Sequence, residues 1–323
     1  MMNPATAGSR PAWKKSEPSK SSSRLRLRRA QLHCIRTALS HYENFFVLGP
    51  LTPWRLAPHL AALYAFSRHA DDLADENADL REAARHLADW RAELRSCLDG
   101  QPNHRITRAL SVTVTKFNLP HQLLSDLLSA FEQDLTVTRY PTFDDLRNYT
   151  RRSADPVGRL VLRLYGYNDP ELDALSDSIC TGLQLANFCQ DVGEDAERNR
   201  IYIPLDECGR FDVDYVEILD RNPSSRLERL LHFQIVRAYR FLVAGLPLAE
   251  RLRGRLKMTV RLFAIGGLQI LDNLRANPLS ALHHRVKLSS KQRVAALMSS
   301  FRPIKGWPSP GRSTGVQPVP PKP

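Results

Sequence analysis

Leu63-Tyr64-Ala65-Phe66-Ser67-Arg68-His69-Ala70-Asp71-Asp72-Leu73-Ala74-Asp75-Glu76 is the stretch on which the reading of the fold turns. Apolar residues enter it from Leu56 and Leu60 and continue through Leu63, Tyr64, Phe66 and Ala70 at three- and four-residue steps. That is the period of an α-helix with one buried face. Asp71 and Asp75 then share a face at the end of this helix. Like charges at that spacing destabilise a helix by roughly 0.2–0.5 kcal/mol, and the helix dipole disfavours anions at a C-terminus. Stability does not explain the pair, whereas a bound cation does.

The same period recurs outward along the chain, in Leu123, Leu124, Leu127, Leu128 and Phe131, and in Leu227, Leu230, Leu231, Ile235 and Tyr239. No segment alternates like a strand, and only 15 of 323 residues are Gly, which argues against a turn-rich β fold. Pro53, Pro58, Pro120, Pro170, Pro223 and Pro278 stand where helices start or stop, and Asn168-Asp169-Pro170 reads as a cap followed by Pro at the first helical position. The expected fold is all-α, about ten helices in one domain over residues 28–301 around a central apolar cavity. Residues 1–27, rich in Ser, Lys and Arg, and residues 302–323, rich in Pro and Gly, are expected to be disordered.

A second acidic helix is predicted over Gly182-Leu183-Gln184-Leu185-Ala186-Asn187-Phe188-Cys189-Gln190-Asp191-Val192-Gly193-Glu194-Asp195, where Gln184, Asn187, Asp191 and Asp195 form one polar stripe. Spacing alone is weak, because five Asp pairs lie four apart: 71/75, 75/79, 169/173, 173/177 and 191/195. The pairs beginning at Asp169 and Asp173 follow a cap, where acids favour a helix start. Asp79 is expected to be solvated on a turn. The two pairs that end apolar helices remain. A solvated acidic helix end is the plain reading of either alone, but Arg68, Arg200 and Tyr202 stand close by in sequence. Mg²⁺ suits such carboxylates, because it is a hard ion that completes its shell with water and substrate phosphate. Arg suits diphosphate oxygens through its planar fork.

Charge narrows the partners. Net charge is +12, but residues 1–29 carry eight Lys/Arg against one Glu, and residues 302–323 carry four with no acid. The folded body is nearly neutral and has no nucleic-acid reading motif, so no nucleic-acid partner is expected. Basic ends of this kind solubilise the chain or touch anionic lipid. Five scattered cysteines, none in a C-x-x-C pair, indicate a reduced, cytoplasmic setting. Leu262–Leu271 is half the length of a membrane span.

The ordered motifs resemble the squalene/phytoene synthase family of head-to-head isoprenoid synthases over residues 30–290. They are His41-Tyr42-Glu43-Asn44-Phe45, the first aspartate motif from Tyr64 to Asp75, Tyr149-Thr150-Arg151-Arg152-Ser153-Ala154-Asp155-Pro156-Val157-Gly158-Arg159-Leu160, and Gln184 to Asp195 followed by Arg200-Ile201-Tyr202-x-Pro204. His41–Phe45 and Pro156–Leu160 look most like the hydroxysqualene synthase branch of bacterial hopanoid biosynthesis. Asn199 stands where the family usually has Gly, a position Asn suits by entering the left-handed region. Phe46 and Asp155 stand where Pro and Asn are usual, and Val286-Lys287-Leu288 departs from the branch's ending.

The resemblance implies an Mg²⁺-dependent isoprenoid synthase that converts presqualene diphosphate and water to hydroxysqualene and diphosphate, working alongside other squalene and hopanoid enzymes. It implies metal binding by Asp71, Asp72, Asp75, Asp191 and Asp195, diphosphate binding by Arg68, Arg200, Asn187 and Gln184, and catalytic roles for Tyr202, Phe45 and Tyr64. Phe131, Tyr165 and Phe188 join Phe45 and Tyr64 as candidate faces for a carbocation. Peripheral contact with the inner membrane surface is expected from the hydrophobic substrate. Two alternatives stay open: condensation of farnesyl or geranylgeranyl diphosphate to presqualene diphosphate, squalene or phytoene, and a non-catalytic assembly protein with this fold.

Overall fold

Helical periodicity becomes helical structure throughout. The computed structural model describes residues 20–40, 48–75 and 79–301, and among these the only β feature is an isolated bridge between Arg139 and Ile201. Five helices form the first part: α1 (Lys20–Ser40), α2 (Ala57–Asp75), α3 (Leu80–Leu98), α4 (Arg105–Phe117) and α5 (His121–Asp134). Their apolar faces meet in a core that includes Phe66, Leu87, Trp90, Leu110, Leu124 and Leu128. Next come α6 (Phe143–Ser153), α7 (Asp155–Leu164), α8 (Pro170–Gln190), α9 (Val192–Glu197), α10 (Leu205–Arg210) and α11 (Tyr215–Leu219). The chain continues through α12 (Ser225–Gly245), α13 (Pro247–Arg251), α14 (Gly254–Ala276), a 3₁₀ turn at Pro278–Leu282 and α15 (Ser290–Ser300). Helices α9, α10, α11 and α13, of five or six residues each, raise the number among the described residues from eleven, close to the expected ten, to fifteen. Segments that short hold too few residues to display a period.

Helix α8 is the axis of the second part. No residue from 175 to 193 is exposed, the mark of a helix enclosed on all sides. It packs on α12, α7 and α14. Close approach requires glycine: a Cβ on Gly182 would fall 2.8 Å from the Leu242 backbone nitrogen, and one on Gly245 would fall 2.9 Å from that of Ile179. At the start of α8 the Asp169 carboxylate accepts from the Glu171 N–H at 2.8 Å with Pro170 in the first turn, as the sequence predicts. Asp173 and Asp177, further along α8, hold Arg163 and Arg159 by paired contacts.

One boundary differs from expectation. Helix α1 begins at Lys20, inside the basic arm read as disordered. Ala30, Cys34 and Ala38, all buried, fix α1 on α2 and α4, and from that anchor each residue added toward the N-terminus gains a hydrogen bond. Asp79 is exposed, as expected, and it also caps α3, accepting from the Arg81 N–H at 2.8 Å. The rest of the arm, the 302–323 tail and His41–Phe45, including the proposed catalytic Phe45, lie outside the described residues. Among the described residues no helix is long and apolar enough to cross a membrane, and the five cysteines are free.

Asp155, the departure in the central motif, is 3% exposed at the start of α7. Thr181 Oγ1 donates to it at 2.7 Å and Arg147 pairs with it at 2.9 Å, yet burial still raises its carboxyl above the usual range. The buried anion depends on one cation, so Arg147→Met is expected to destabilise the fold by about 3–5 kcal/mol. Asp155→Asn, which keeps the Thr181 hydrogen bond without the charge, is expected to cost under about 1 kcal/mol. Urea unfolding of both variants checks this, and equal losses would show that the charge pair is not the reason for the cost.

Candidate active site

The last turn of α2 carries the first motif. Arg68 reaches one turn forward along the helix, its Nε 2.7 Å from Asp72 Oδ1 and a terminal nitrogen 3.2 Å from Asp71 Oδ2. Asp75 turns the other way, to Arg200 at 3.4 Å and Arg198 at 3.6 Å. Asp71 and Asp75 keep side-chain exposures of 39% and 38%, open to a ligand from one side.

Helix α8 carries Gln184, Asn187 and Phe188 as a half-buried strip. The predicted single stripe is interrupted: α8 ends at Gln190, Asp191 is its C-cap, and Asp195 lies in the first turn of α9. A direct hydrogen bond from the Asp195 N–H to the Asp191 carbonyl, 2.7 Å, keeps the two carboxylates on adjoining turns. Gly193 sits between them against the 3₁₀ turn, where a Cβ would fall 2.7 Å from the Leu282 carbonyl carbon and 2.9 Å from the Ala281 carbonyl oxygen. Backbone cannot yield as a flexible side chain can. Gly193→Ala is therefore expected to push α9 off the 3₁₀ turn and lower turnover by about tenfold or more, since small misplacements near reacting groups are costly. Steady-state kinetics with a circular dichroism control checks this; unchanged turnover would mean α9 is free to shift.

A tight turn follows α9. Asn199 has φ of 54°, the left-handed conformation expected of a residue in place of Gly. Its side-chain oxygen accepts from Arg139 at 2.6 Å, and the Ile201 N–H bonds to the Thr138 carbonyl at 3.0 Å. This fastening to the segment after α5 aims Arg198 and Arg200 at Asp75. Arg200 also donates to the Asp134 carbonyl at 3.4 Å.

The electrostatics tie the two motifs together. Burial, with Asp191 beside it, pushes the Asp195 carboxyl up to about 7, against the pull of Arg200 and Arg198. Asp191 is raised by burial to about 6 against the pull of Arg285, whose Nε lies 3.2 Å away. Asp75 pairs with Arg198 and Arg200, which follow Asp195 by three and five residues, so the end of the first motif meets the turn that follows the second.

Two members of the site are absent from the sequence expectation. Asp134, at the end of α5, accepts from the Tyr149 hydroxyl at 2.9 Å; its other oxygen, Oδ1, is shielded from solvent without a hydrogen-bond partner. Burial pushes this carboxyl up to about 7, with Asp75 and Asp71 adding to the rise. Its sequence signal is the one that marks Asp71 and Asp75, an acid ending an apolar helix, but without a second acid four residues away. Arg285 gives no signal; it reaches Asp191 because the Gln190 amide donates to the Val286 carbonyl and folds that segment over the site.

Tyr202 lies in an aromatic stack. Its ring is parallel to Phe188, with centroids 4.0 Å apart, and lies 5.7 Å from Tyr140 and 6.0 Å from Tyr149. Burial raises the Tyr202 hydroxyl well above its ordinary range, so it stays protonated and able to donate. Tyr64, Phe131 and Tyr165 pack half-buried on the first core, and Tyr165 also reaches the second. Of the expected cation-facing rings, Phe188 stacks on Tyr202. Two pockets lie elsewhere, one of about 310 Å³ beside His69, Trp90 and His104, and one of about 220 Å³ beside Arg147, Asp155 and Arg159.

Among the described residues no group of three or more His, Cys, Asp or Glu side chains is placed to hold a metal ion by itself. The donors still suit a hard divalent ion. They are carboxylate oxygens, Asp191 and Asp195 are raised by burial and by neighbouring acids, and Asp134 Oδ1 lacks a hydrogen-bond partner. Mg²⁺ takes only one or two carboxylates per ion and fills its shell with water and phosphate.

A sequence model of squalene/phytoene synthase matches residues 39–292. The chain is 32% identical over 259 residues to a hydroxysqualene synthase of Rhodopseudomonas palustris, spanning 77% of this chain and 86% of that one. It is 29% identical over 277 residues to a phytoene synthase of Arthrospira platensis, spanning 82% and 90%. The fold superposes on the crystal structure of squalene synthase HpnC from Alicyclobacillus acidocaldarius with a TM-score of 0.75 and 36% identity, over 79% of this chain and 96% of that one.

Proposed function

The chain belongs to the squalene/phytoene synthase family, and from that premise we propose that it converts presqualene diphosphate and water to hydroxysqualene and diphosphate. The ion pairs of Asp75, in the first motif, with Arg198 and Arg200, just after the second, are the observation that carries this reading, because they gather acids and fixed cations where a diphosphate would leave. The likeness to proteins named hydroxysqualene synthase and squalene synthase supports the choice within the family.

Asp71, Asp75, Asp191 and Asp195 would hold Mg²⁺, with Asp72 beside them. When bound, the ion supplies Lewis acidity to the diphosphate oxygens. The chain's own cations do the rest of the charge work. Arg200, half-buried between the motifs, and Arg68 donate to oxygens that gain charge as the carbon–oxygen bond breaks. Gln184 and Asn187 orient the same group from α8. The face of Phe188 turned away from Tyr202 stabilises the resulting carbocation by about 0.5–2 kcal/mol. Tyr202, held protonated by burial, donates a hydrogen bond to the diphosphate or the incoming water. Water adds to the cation, its surplus proton passes to diphosphate or solvent, and the packed apolar wall excludes other water.

Purified protein with Mg²⁺ and presqualene diphosphate, analysed by mass spectrometry, is expected to release diphosphate and yield hydroxysqualene. Release of diphosphate only from farnesyl or geranylgeranyl diphosphate would move the protein to the condensing branch of the family. No release from any of the three would refute catalysis.

A further inference from the structure

Helix α15 faces two ways. Ala296 and Ser300 point inward, 2% and 0% exposed, and the helix is tied to α14 by Arg261 on the Ser300 carbonyl and by the paired amides of Asn273 and Gln292. On the opposite side Val294, Leu297, Met298 and Phe301 are 60%, 41%, 63% and 58% exposed. They follow one another at three- and four-residue steps or side by side, a stripe roughly 100° wide on a helix. Large apolar side chains gathered over two turns and left in water mark an interaction face.

Charge identifies the partner. Asp272 is the last acidic residue of the chain; in the 51 residues after it, besides Arg285 held by Asp191, stand eight Lys/Arg, with Lys291 and Arg293 on α15 itself and four more after Phe301. A second copy of this chain would bring like charge against like. An anionic bilayer surface meets both features at once, taking the apolar stripe into the headgroup boundary while lipid phosphates face the cations. We propose that α15 docks this protein on an anionic lipid surface through Val294, Leu297, Met298 and Phe301.

Flotation of the full-length protein tests it. The protein is expected to float with vesicles of phosphatidylcholine containing about one third phosphatidylglycerol, to stay down with phosphatidylcholine alone, and to release as salt rises. Leu297→Gln with Met298→Gln is expected to weaken binding on the order of tenfold with an unchanged melting temperature, whereas Leu297→Met retains it. Three results would each overturn the proposal: wild type that fails to float, a double variant that floats equally, or a wild-type dimer in sedimentation that the double variant dissociates. Loss of flotation on removing residues 1–19, with the double variant still bound, would assign the contact to the N-terminal arm instead.

Discussion

Asp195→Asn is expected to lower turnover by roughly a thousandfold while making the metal-free protein more stable. The first effect follows from losing a carboxylate that the reaction requires, because Asn presents one oxygen and no charge to a divalent ion. The second follows from the cost of burying the anion. The Asp195 carboxyl lies at about 7 in the folded protein against an ordinary 3.8. A raised acid contributes stability that is fully present below the unfolded value and lost as pH rises through the folded one. Wild type therefore bears the cost of ionisation above about pH 7, and Asn bears none. Asp195 keeps some solvent contact, so the full shift overstates the gain, which is set at about 1–3 kcal/mol near pH 8 and close to zero near pH 4. Melting curves in chelator at both pH values read the difference. A gain independent of pH, or a loss near pH 8, would show that Asp195 is not a costly buried anion.

Arg200→Ala is expected to reduce kcat/KM by about a hundredfold to a thousandfold, within the range for removing a preorganised charge at a leaving group. Arg200 touches Asp75 and the Asp134 carbonyl, and its charge holds down the carboxyls of Asp134 and Asp195, so its loss also leaves those two raised acids with less relief. Arg200→Lys keeps a point charge but not the planar fork, and is expected to recover only part of the rate. Stopped-flow or steady-state assays with presqualene diphosphate separate the three proteins. Equal rates for Ala, Lys and wild type would remove Arg200 from the site.

The helical fold is legible in the sequence because apolar spacing is long-range and redundant. Leu123 to Phe131 and Leu227 to Tyr239 each repeat the period over several turns, and both become buried faces. The short helices are not legible. The interruption at Asp191 is hidden as well, because it depends on Gly193 meeting the backbone of a turn almost ninety positions away, at Ala281 and Leu282. Asn199 can be read because a left-handed position leaves a local signature in residue type. Asp134 and Arg285 escape a sequence reading for a shared reason: each joins the site through tertiary contact, with no partner at helical spacing to mark it. The pairs at Asp169 and Asp173 are separated from the aspartate motifs by their cap and proline, and they are occupied in structural contacts.

The convergence of the two motifs on one diphosphate is measured by a double-mutant cycle on Asp75→Asn and Asp195→Asn, with calorimetric binding of inorganic diphosphate in the presence of Mg²⁺ as the readout. Carboxylates acting on one ligand are expected to couple, the double variant departing from the sum of the single losses by about 1 kcal/mol or more. Single losses that add to within about 0.3–0.5 kcal/mol would place the two acids at independent sites and contradict the proposed chemistry.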